Sequence, residues 1–266
     1  MTVAASAPPR LLVIGGSDSG GGAGIQADIK TGFAFGVHVA SVVTAITAQN
    51  SVGVQGVWPT DPDAVRAQIR SVLDDIGADA IKTGMLADAR IASVVADEIE
   101  RAGLPVVVDP VCAATTGAAL LTEEAIDVYR QRLIPLALVV TPNVLEVLAL
   151  TGVEVSDVRD LQAAADALLA LGPRWVLIKG GHLEGNAVDL LAAVDESVEL
   201  VGERIDTDNT HGTGCTLATA IAARLAYGDD VPAAARAAKE FVAQAIRCGY
   251  PLGRGVGPVA QWICRD

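Results

Sequence analysis

A glycine-rich turn, Gly212-Thr213-Gly214-Cys215, leads straight into the helical pattern of residues 213–226. Glycine lets the backbone approach a ligand closely, and the first N–H groups of a helix lack intrahelical partners and carry partial positive charge. Several donors can therefore converge on one point, which indicates a phosphate-binding site. A thiol in that first turn is expected to have a lowered pKa, which makes Cys215 a candidate acid–base group. The pattern is equally typical of a plain turn before a packed helix with an inert cysteine.

Other phosphate-binding and catalytic motifs are absent or incomplete. None of the 27 glycines precedes a lysine, which excludes a P-loop. Residues 22–27 (GAGIQA) fit the looser dinucleotide pattern G-x-G-x-x-A, but no Asp or Glu occurs from Ile29 to Thr60 to bind a ribose hydroxyl, so a dinucleotide site has little support. Residues 15–19 (GGSDS) lack the closing glycine of a serine-hydrolase elbow.

Composition argues against a protein that binds nucleic acid or crosses a membrane. The chain has 266 residues, 51% of them hydrophobic, and no linker-like stretch divides it, so we predict one domain over residues 1–266. Its net charge of -13 offers no basic face to a polyanion. No apolar run approaches the ~18 residues of a membrane span, and the four cysteines and three histidines lack metal-ligand spacing. We therefore expect a cytoplasmic protein with reduced cysteines.

Strand and helix patterns alternate along the chain. Short apolar runs predict strands at 10–16, 37–47, 80–85, 105–109, 137–140 and 175–179, and helices are predicted at 25–35, 61–76, 88–102, 122–132, 143–151, 157–171, 213–226 and 231–248. Residues 187–193 and 198–204 have the pattern of an antiparallel hairpin. The alternation predicts an α/β fold with a mainly parallel, doubly wound sheet and an antiparallel edge hairpin, which binds ligands at the carboxyl ends of its strands.

Polar or glycine residues fall at these predicted strand ends, and their clustering indicates one active-site rim. They are Gly16-Ser17-Asp18, Gln49-Asn50, Gly84-Met85, Asp109, Asn143 and Lys179-Gly180-Gly181. Each has a simpler interpretation as well. Asn143 and Glu146 have the spacing of a helix capping box, Asp28 fits a solvated charge, and Thr47 and Met85 fit core or strand-end positions.

Seven motifs, taken together, resemble one family over nearly the whole chain. They are GSD-x4-AGIQAD (16–28), TA-x-TAQN (44–50), KTGML (82–86), VDPV (108–111), TPN-x2-E (141–146), KGGH (179–182) and NTHGTGC (209–215). This set is similar to the hydroxymethylpyrimidine/phosphomethylpyrimidine kinases of thiamine biosynthesis, in the ribokinase superfamily. The resemblance implies a three-layer α/β/α sandwich and a homodimer. It also implies a kinase that uses ATP and Mg²⁺ to phosphorylate 4-amino-5-hydroxymethyl-2-methylpyrimidine and then its monophosphate, giving the diphosphate.

The resemblance also implies roles for residues at the matching positions. The pyrimidine pocket would consist of Gly16, Asp28, Thr47, Gln49 and Met85, with Gln49 and Asp28 on the polar edge of the ring. The anion hole for the transferred phosphoryl group would be Gly212, Thr213, Gly214 and Cys215. The nucleotide phosphates would contact Asp109, Asn143, Glu146 and Lys179, and Asp109 and Glu146 would act on magnesium. The adenine would lie against the last two helices and the tail that follows them, which begins with the glycine-rich run 253–258.

The chain departs from the family pattern in two places, and other functions remain open. Many superfamily kinases have Asp as a base where this chain has Cys215, as this branch typically does. The segment from Cys112 to Gly117, with Thr115 at its centre, lacks the usual lysine, which puts one lid contact in doubt. Pyridoxal or pyridoxine is the competing acceptor within the fold. A nucleotide-binding oxidoreductase and a non-catalytic sugar- or nucleoside-binding protein are the alternatives from other classes.

Overall fold

A computed structural model describes residues 7–111, 122–181 and 183–262 of the chain. Within these ranges nine strands form one sheet. Its strands are β1 (Arg10–Asp18), β2 (His38–Asn50), β3 (Gly53–Pro59), β4 (Ala80–Thr83), β5 (Val106–Val108), β6 (Val139–Val140), β7 (Trp175–Ile178), β8 (Ala187–Ala192) and β9 (Ser197–Gly202). Their order is β3-β2-β1-β4-β5-β6-β7-β8-β9. The six neighbouring strands β2, β1, β4, β5, β6 and β7 pair in parallel, whereas β3, β8 and β9 pair antiparallel with their neighbours.

Nine α-helices cover the two faces of this sheet in the described part of the chain. They are α1 (Gly24–Ala34), α2 (Pro62–Ser71), α3 (Ala89–Ala102), α4 (Glu123–Val128), α5 (Ile134–Leu136), α6 (Val144–Thr151), α7 (Leu161–Leu169), α8 (Thr213–Ala226) and α9 (Val231–Arg247). Short π-helical turns follow α2 and α4, at Val72–Ile76 and Tyr129–Leu133. Caps begin several helices, as where Asp88 accepts two N–H groups at the start of α3.

Alternate residues of the central strands point into two separate cores. Leu12 and Ile14 of β1 pack with α2, α3, α6 and α7, whereas Leu11 and Val13 pack with α1, α8 and α9. Because both faces are covered by helices, the strands are apolar throughout instead of alternating, as their sequences indicated. The layers are therefore α/β/α, which confirms the predicted fold class.

The antiparallel hairpin predicted at one edge is confirmed as β8 and β9. The sequence did not predict β3, which pairs antiparallel with β2 at the opposite edge. Five of its residues form the run Gly-Val-Gln-Gly-Val and most of its side chains are partly or fully exposed, so it lacks the apolar pattern by which a strand is detected. All nine strands belong to one sheet; the single-domain interpretation of residues 1–266 stays a prediction.

Some predictions concern residues outside the described ranges, namely the segment from Cys112 to Gly117 with Thr115, His182, and Cys264. Within those ranges, no helix combines the length and the apolar character needed to cross a membrane. Cys215 is a free cysteine, but Cys248 is disulfide-bonded, so the expectation of reduced cysteines is wrong for Cys248.

Candidate active site

The polar residues predicted to share a rim do follow the carboxyl ends of neighbouring strands. The strands β2, β1, β4, β5, β6 and β7 lie side by side in this order and are parallel, so their carboxyl ends meet at one edge of the sheet. From β2 to β7 the edge carries Gln49, Asp18, Met85, Asp109, Asn143 and Lys179. The strand register shifts at two places next to this edge, between Gly15 and Ser17 where β1 pairs with β2, and between Ala48 and Gln49 where β2 pairs with β3.

The turn before α8 has the geometry of an anion site. Gly212 caps the helix in the left-handed region, with φ 87°, and a Cβ there would collide with the carbonyl oxygen of Gly22. Only glycine fits this position. No side chain caps α8, and within the described residues the N–H groups of Gly214 and Cys215 make no hydrogen bond. The side chain of Thr213 donates to the carbonyl oxygen of Thr210 and so braces the turn.

Lys179 brings two buried carboxylates together beside this turn. Its Nζ lies 3.1 Å from Asp109 Oδ1 and 3.6 Å from Glu146 Oε2. A Cβ at Gly214 would lie 3.3 Å from the same Nζ, so the turn and the lysine are in contact. Burial disfavours the charged amine, but Asp109 and Glu146 outweigh it and raise the pKa of Lys179. Burial raises the pKa of Glu146 as well, against the opposing effect of Lys179.

The capping box predicted as the simpler interpretation of Asn143 and Glu146 is present. Asn143 Oδ1 accepts from the N–H groups of Leu145 and Glu146, and Glu146 Oε2 accepts from the N–H of Asn143 at 2.7 Å. Glu146 nevertheless also faces Lys179. Its carboxylate therefore has a place in the cluster in addition to its capping role, while Asn143 keeps only its amide N–H₂ for another partner.

Four of the five residues predicted for the pyrimidine pocket lie together at the ends of β1, β2 and β4. The side chain of Met85 lies over Gly16, where a Cβ would collide with its terminal methyl group. Thr47 Oγ1 donates to the carbonyl oxygen of Ser17 at 2.8 Å and lies 3.3 Å from Gln49 Oε1. The side chain of Gln49 is only partly buried, which leaves it accessible to a ligand.

Asp28, the fifth residue, lies on α1. It has no exposed surface, and Lys82 Nζ lies 2.9 Å from each of its carboxylate oxygens. Thr219 of α8 donates to Asp28 Oδ1 at 2.6 Å. The alternative of a solvated charge is wrong for this residue. Because its oxygens are already paired, we carry Asp28 forward as the residue that holds Lys82, not as a contact to the ligand.

The predicted lowering of the Cys215 pKa is wrong. Burial raises the pKa of the thiol to about 11; Lys82 opposes this, while Asp28 and Asp109 add to it. The partial charge at the start of one helix is a smaller effect than desolvation of a thiolate. Cys215 therefore carries a protonated thiol at neutral pH, next to the free N–H groups of the turn.

The glycine segment after β1 is folded around Asp18. Its carboxylate accepts from the N–H groups of Gly20, Gly22 and Ala23 at 2.8 to 3.0 Å, and His211 Nε2 lies 3.0 Å from Oδ2. The amides of the G-x-G-x-x-A pattern that a dinucleotide pyrophosphate would use include Gly22 and Ala23, which are thus occupied. The structure gives no support to a dinucleotide site there.

Sequence reasoning placed Asp18 at the rim without a specific role, and it assigned no role to Lys82 or His211. A signal for Lys82 was present, since a lysine inside an apolar strand is buried only with an ionic partner. For Asp18 the signal was an acid directly before a run of glycines, whose free N–H groups favour a carboxylate. Nothing local marked His211, whose ring meets Asp18 only in the folded chain.

Comparisons with known proteins agree with this geometry. The family model described as phosphomethylpyrimidine kinase matches residues 18–260. A hydroxymethylpyrimidine/phosphomethylpyrimidine kinase from Streptomyces coelicolor is 58% identical, covering 95% of this chain and 94% of the relative. A phosphomethylpyrimidine kinase from Clostridium difficile 630 has a TM-score of 0.80 at 38% identity, over 90% of this chain and 99% of that one.

A pyridoxal kinase from Bacillus subtilis, solved as an ADP complex, has a TM-score of 0.90 at 42% identity, with 96% of this chain and 98% of that chain covered. The predicted ribokinase-like architecture is therefore confirmed at the level of the fold. The family match extends from Asp18 to Ala260, in the tail that packs on His211, and so includes every rim residue except Gly16 and Ser17. On this evidence the chain belongs to the phosphomethylpyrimidine kinase family.

Proposed function

We propose that this chain is an ATP-dependent kinase that phosphorylates 4-amino-5-hydroxymethyl-2-methylpyrimidine and then its monophosphate in thiamine biosynthesis. One observation carries the proposal: the N–H groups of Gly214 and Cys215, unpaired within the described residues, lie beside the largely buried ammonium of Lys179. Together they form a positively polarised site for a phosphoryl group at the edge of the sheet where Gln49 and Met85 line a pocket. Phosphoryl transfer requires such positioning and charge neutralisation more than covalent chemistry.

The acceptor would bind on the pocket side of the rim. Gly16 and Met85 supply an apolar slot, since the Met85 side chain lies directly over the glycine. Gln49 offers an amide with one donor face and one acceptor face, which suits an amine next to a ring nitrogen. Thr47 braces that amide from behind. Asp28 acts indirectly, because it holds Lys82 and links α1 to α8 through Thr219.

The amide turn would stabilise the charge that develops on the transferred group. Gly212 permits the turn, Thr213 braces it, and Gly214 and Cys215 contribute the free N–H groups. With a thiol pKa of about 11, Cys215 is a poor general base at neutral pH. A loose transition state demands little proton abstraction before the phosphoryl group moves, so we assign Cys215 to the wall and the N–H of the anion hole.

The donor set near Lys179 fits magnesium as a partly hydrated ion. In the described ranges no three His, Cys, Asp or Glu residues cluster as ligands, but Asp109 and Glu146 converge from β5 and α6. Mg²⁺ is commonly bound by one or two carboxylates with water and phosphate oxygens as its remaining ligands. When bound, the ion would neutralise phosphate charge and orient the phosphates. Asn143 and Lys179 would contact the nucleotide phosphates, with the adenine against α8, α9 and the tail.

Pyridoxal is the second candidate acceptor, because the Bacillus subtilis pyridoxal kinase matches the fold with a TM-score of 0.90. The discriminating chemistry is the amine, since a pyridine alcohol lacks the donor that a Gln49 amide would recognise. We would incubate the purified chain with ATP, Mg²⁺ and each acceptor in turn, and read products by mass. The proposal predicts mono- and diphosphate products from the aminopyrimidine at a higher kcat/KM than for pyridoxal. No phosphorylated aminopyrimidine would refute it.

Assembly and location remain proposals that follow from the resemblance. We propose a homodimer in the cytoplasm with no nucleic-acid or membrane partner. Exposed apolar side chains at one edge of the sheet, Ile46, Val57 and Trp58, are consistent with a contact surface. Analytical ultracentrifugation at micromolar concentration tests the dimer, and a mass equal to one chain would exclude it under those conditions.

A further inference from the structure

The side chains of Gln49, His211 and Asp18 form a continuous polar chain beside the pocket. His211 Nε2 lies 3.0 Å from Asp18 Oδ2 and 3.3 Å from the amide of Gln49. On its other side the same amide lies 3.3 Å from Thr47 Oγ1. These residues belong to the end of β1, the end of β2 and the turn before α8, so the chain joins the acceptor side of the rim to the anion turn.

The neighbouring Asp18 decides which ring nitrogen of His211 carries a proton. Asp18 is 3% exposed and already accepts three backbone N–H groups, which is the environment of an ionised carboxylate. A bare ring nitrogen 3.0 Å from that carboxylate would set two lone pairs against each other. His211 Nε2 therefore carries a proton and donates it to Asp18.

The proton on His211 in turn decides which way the Gln49 amide is oriented. The structure places Gln49 Nε2 on the His211 side, but a protonated His211 Nε2 has no lone pair with which to accept from an N–H₂ group. The amide oxygen can instead share the His211 N–H with Asp18 in a three-centre bond, so the oxygen belongs on the His211 side and the N–H₂ group on the Thr47 side. Thr47 Oγ1 can accept there, because it donates its own proton to the carbonyl oxygen of Ser17 at 2.8 Å. With this orientation each of these contacts joins a donor to an acceptor.

His211 itself is fixed in place by the tail. Its N–H donates to the carbonyl oxygen of Gly257 at 3.0 Å, and its carbonyl oxygen accepts from Val259 at 3.1 Å. Its ring lies against Gly22, where a Cβ would collide with ring atom Cδ2. These contacts hold the ring against the glycine segment, so it presents a constant donor to the Gln49 amide.

We propose that His211, held by Asp18, is a positioning residue that sets the orientation of the Gln49 amide and so determines which way round an aminopyrimidine acceptor binds. The inference rests on the proposed function. One N–H of Gln49 and one lone pair of its oxygen stay free, and these match a ring nitrogen and the adjacent amine in only one order. If the Gln49 amide were reversed, its N–H₂ group would face the amine of the ligand and its oxygen would face the ring nitrogen. The ligand could then pair only in the opposite order, which would direct its hydroxymethyl group away from the turn at Cys215.

The test is a double-mutant cycle with His211→Phe and Gln49→Leu, read as kcat/KM for the aminopyrimidine and for its analogue without the 4-amino group. We expect His211→Phe to lower kcat/KM for the aminopyrimidine about tenfold or more, to leave the analogue within about threefold, and to cause no further loss in Gln49→Leu. His211→Gln keeps a donor near Nε2 and should restore most of the discrimination. Additive losses, or equal losses with both acceptors, would overturn the proposal.

Failure of the proposed function is distinguishable, because a wild-type enzyme that does not phosphorylate the aminopyrimidine fails before any variant is compared. A measurement on wild-type protein covers the case in which a variant does not fold. The ¹⁵N chemical shifts of the His211 ring report its tautomer, and we expect a proton on Nε2. A ring protonated on Nδ1 alone would remove the donor from Asp18 and Gln49 and refute the orientation argument.

Discussion

Alkylation of Cys215 by iodoacetamide is expected to be slow at neutral pH. Burial raises the pKa of this thiol from 9.0 to about 11, and Asp28 and Asp109 contribute in spite of Lys82. At pH 7.5 that shift reduces the thiolate fraction about 100-fold. A more basic thiolate is about eightfold more nucleophilic for a Brønsted coefficient of about 0.45, so the net reaction should be about tenfold slower than for an ordinary cysteine.

The assay follows the mass of the chain from pH 6.5 to 9.5, with N-acetylcysteine in the same tube as the reference thiol and Cys215→Ala as the background control. Peptide mapping assigns the modified residue. The residue is only partly exposed, and limited access would lower the rate by the same factor at every pH, so the shape of the pH profile reports the ionisation of the thiol. The rate at Cys215 should rise with pH without a plateau over this range. A plateau below pH 9, or a rate above that of N-acetylcysteine, would show that the thiol is activated and that our argument is wrong.

Turnover supplies a second readout of the same thiol. Cys215→Ala removes the sulfur but keeps the backbone N–H groups of residues 214 and 215, so kcat should fall by less than about tenfold. The KM for ATP should stay within about twofold. A loss of ~10²-fold or more in kcat, with ATP binding intact, would instead identify the thiol as a general base.

Four further variants test other parts of the molecule. Glu146→Gln keeps the capping bonds but removes a charge beside Lys179, so it should raise the Mg²⁺ concentration needed for half-maximal rate. An unchanged Mg²⁺ dependence would show that Glu146 serves only as part of the helix cap. Lys179→Met should lower kcat by ~10²-fold or more, measured at saturating ATP, because it leaves two carboxylates uncompensated. Gly212→Ala adds a Cβ that meets the Gly22 carbonyl at a φ of 87°, so urea unfolding should show a loss of at least ~2 kcal/mol. Glu98, a buried carboxylate that binds three arginines, has a lowered pKa because those arginines outweigh its burial. The ion pairs of Glu98 therefore stabilise the fold above the unfolded pKa of about 4.5, and this stabilisation is lost as pH falls through the lower folded pKa. Glu98→Gln should lower the free energy of unfolding by about 1–2 kcal/mol at pH 7 and by progressively less toward pH 3.

Much of the fold was predictable because most of its strands and helices have a recognisable pattern in their own short stretch of sequence. Apolar runs predicted the strand at 80–83 and the helix that follows it, and two runs separated by a polar turn predicted the hairpin at 187–202. The rim followed from these elements, since carboxyl ends of parallel strands meet at one edge. Strand β3 was missed because an exposed edge strand with two glycines has no such local pattern.

The site was predictable as a set of residues but less so as a set of roles. The glycine turn at 212–215 and the placing of Asp109, Glu146 and Lys179 could be proposed from motifs. The direction of the Cys215 pKa could not, because a helix start favours a thiolate while burial opposes it, and burial is a property of the folded chain. The burial of Asp28 and its pairing with Lys82 could not be predicted either, since a charged residue on a helix is usually solvated.

The sequence by itself therefore determined the alternation of strands and helices, the parallel sheet and the edge at which the chemistry is placed. Only the tertiary structure decided the partners of the buried charges. Asp28 meets Lys82 across 54 residues and Thr219 across 191, and Asp18 meets His211 across 193. Local patterns record periodicity over a few residues, whereas the pairing of a buried carboxylate depends on which distant elements the sheet order brings together.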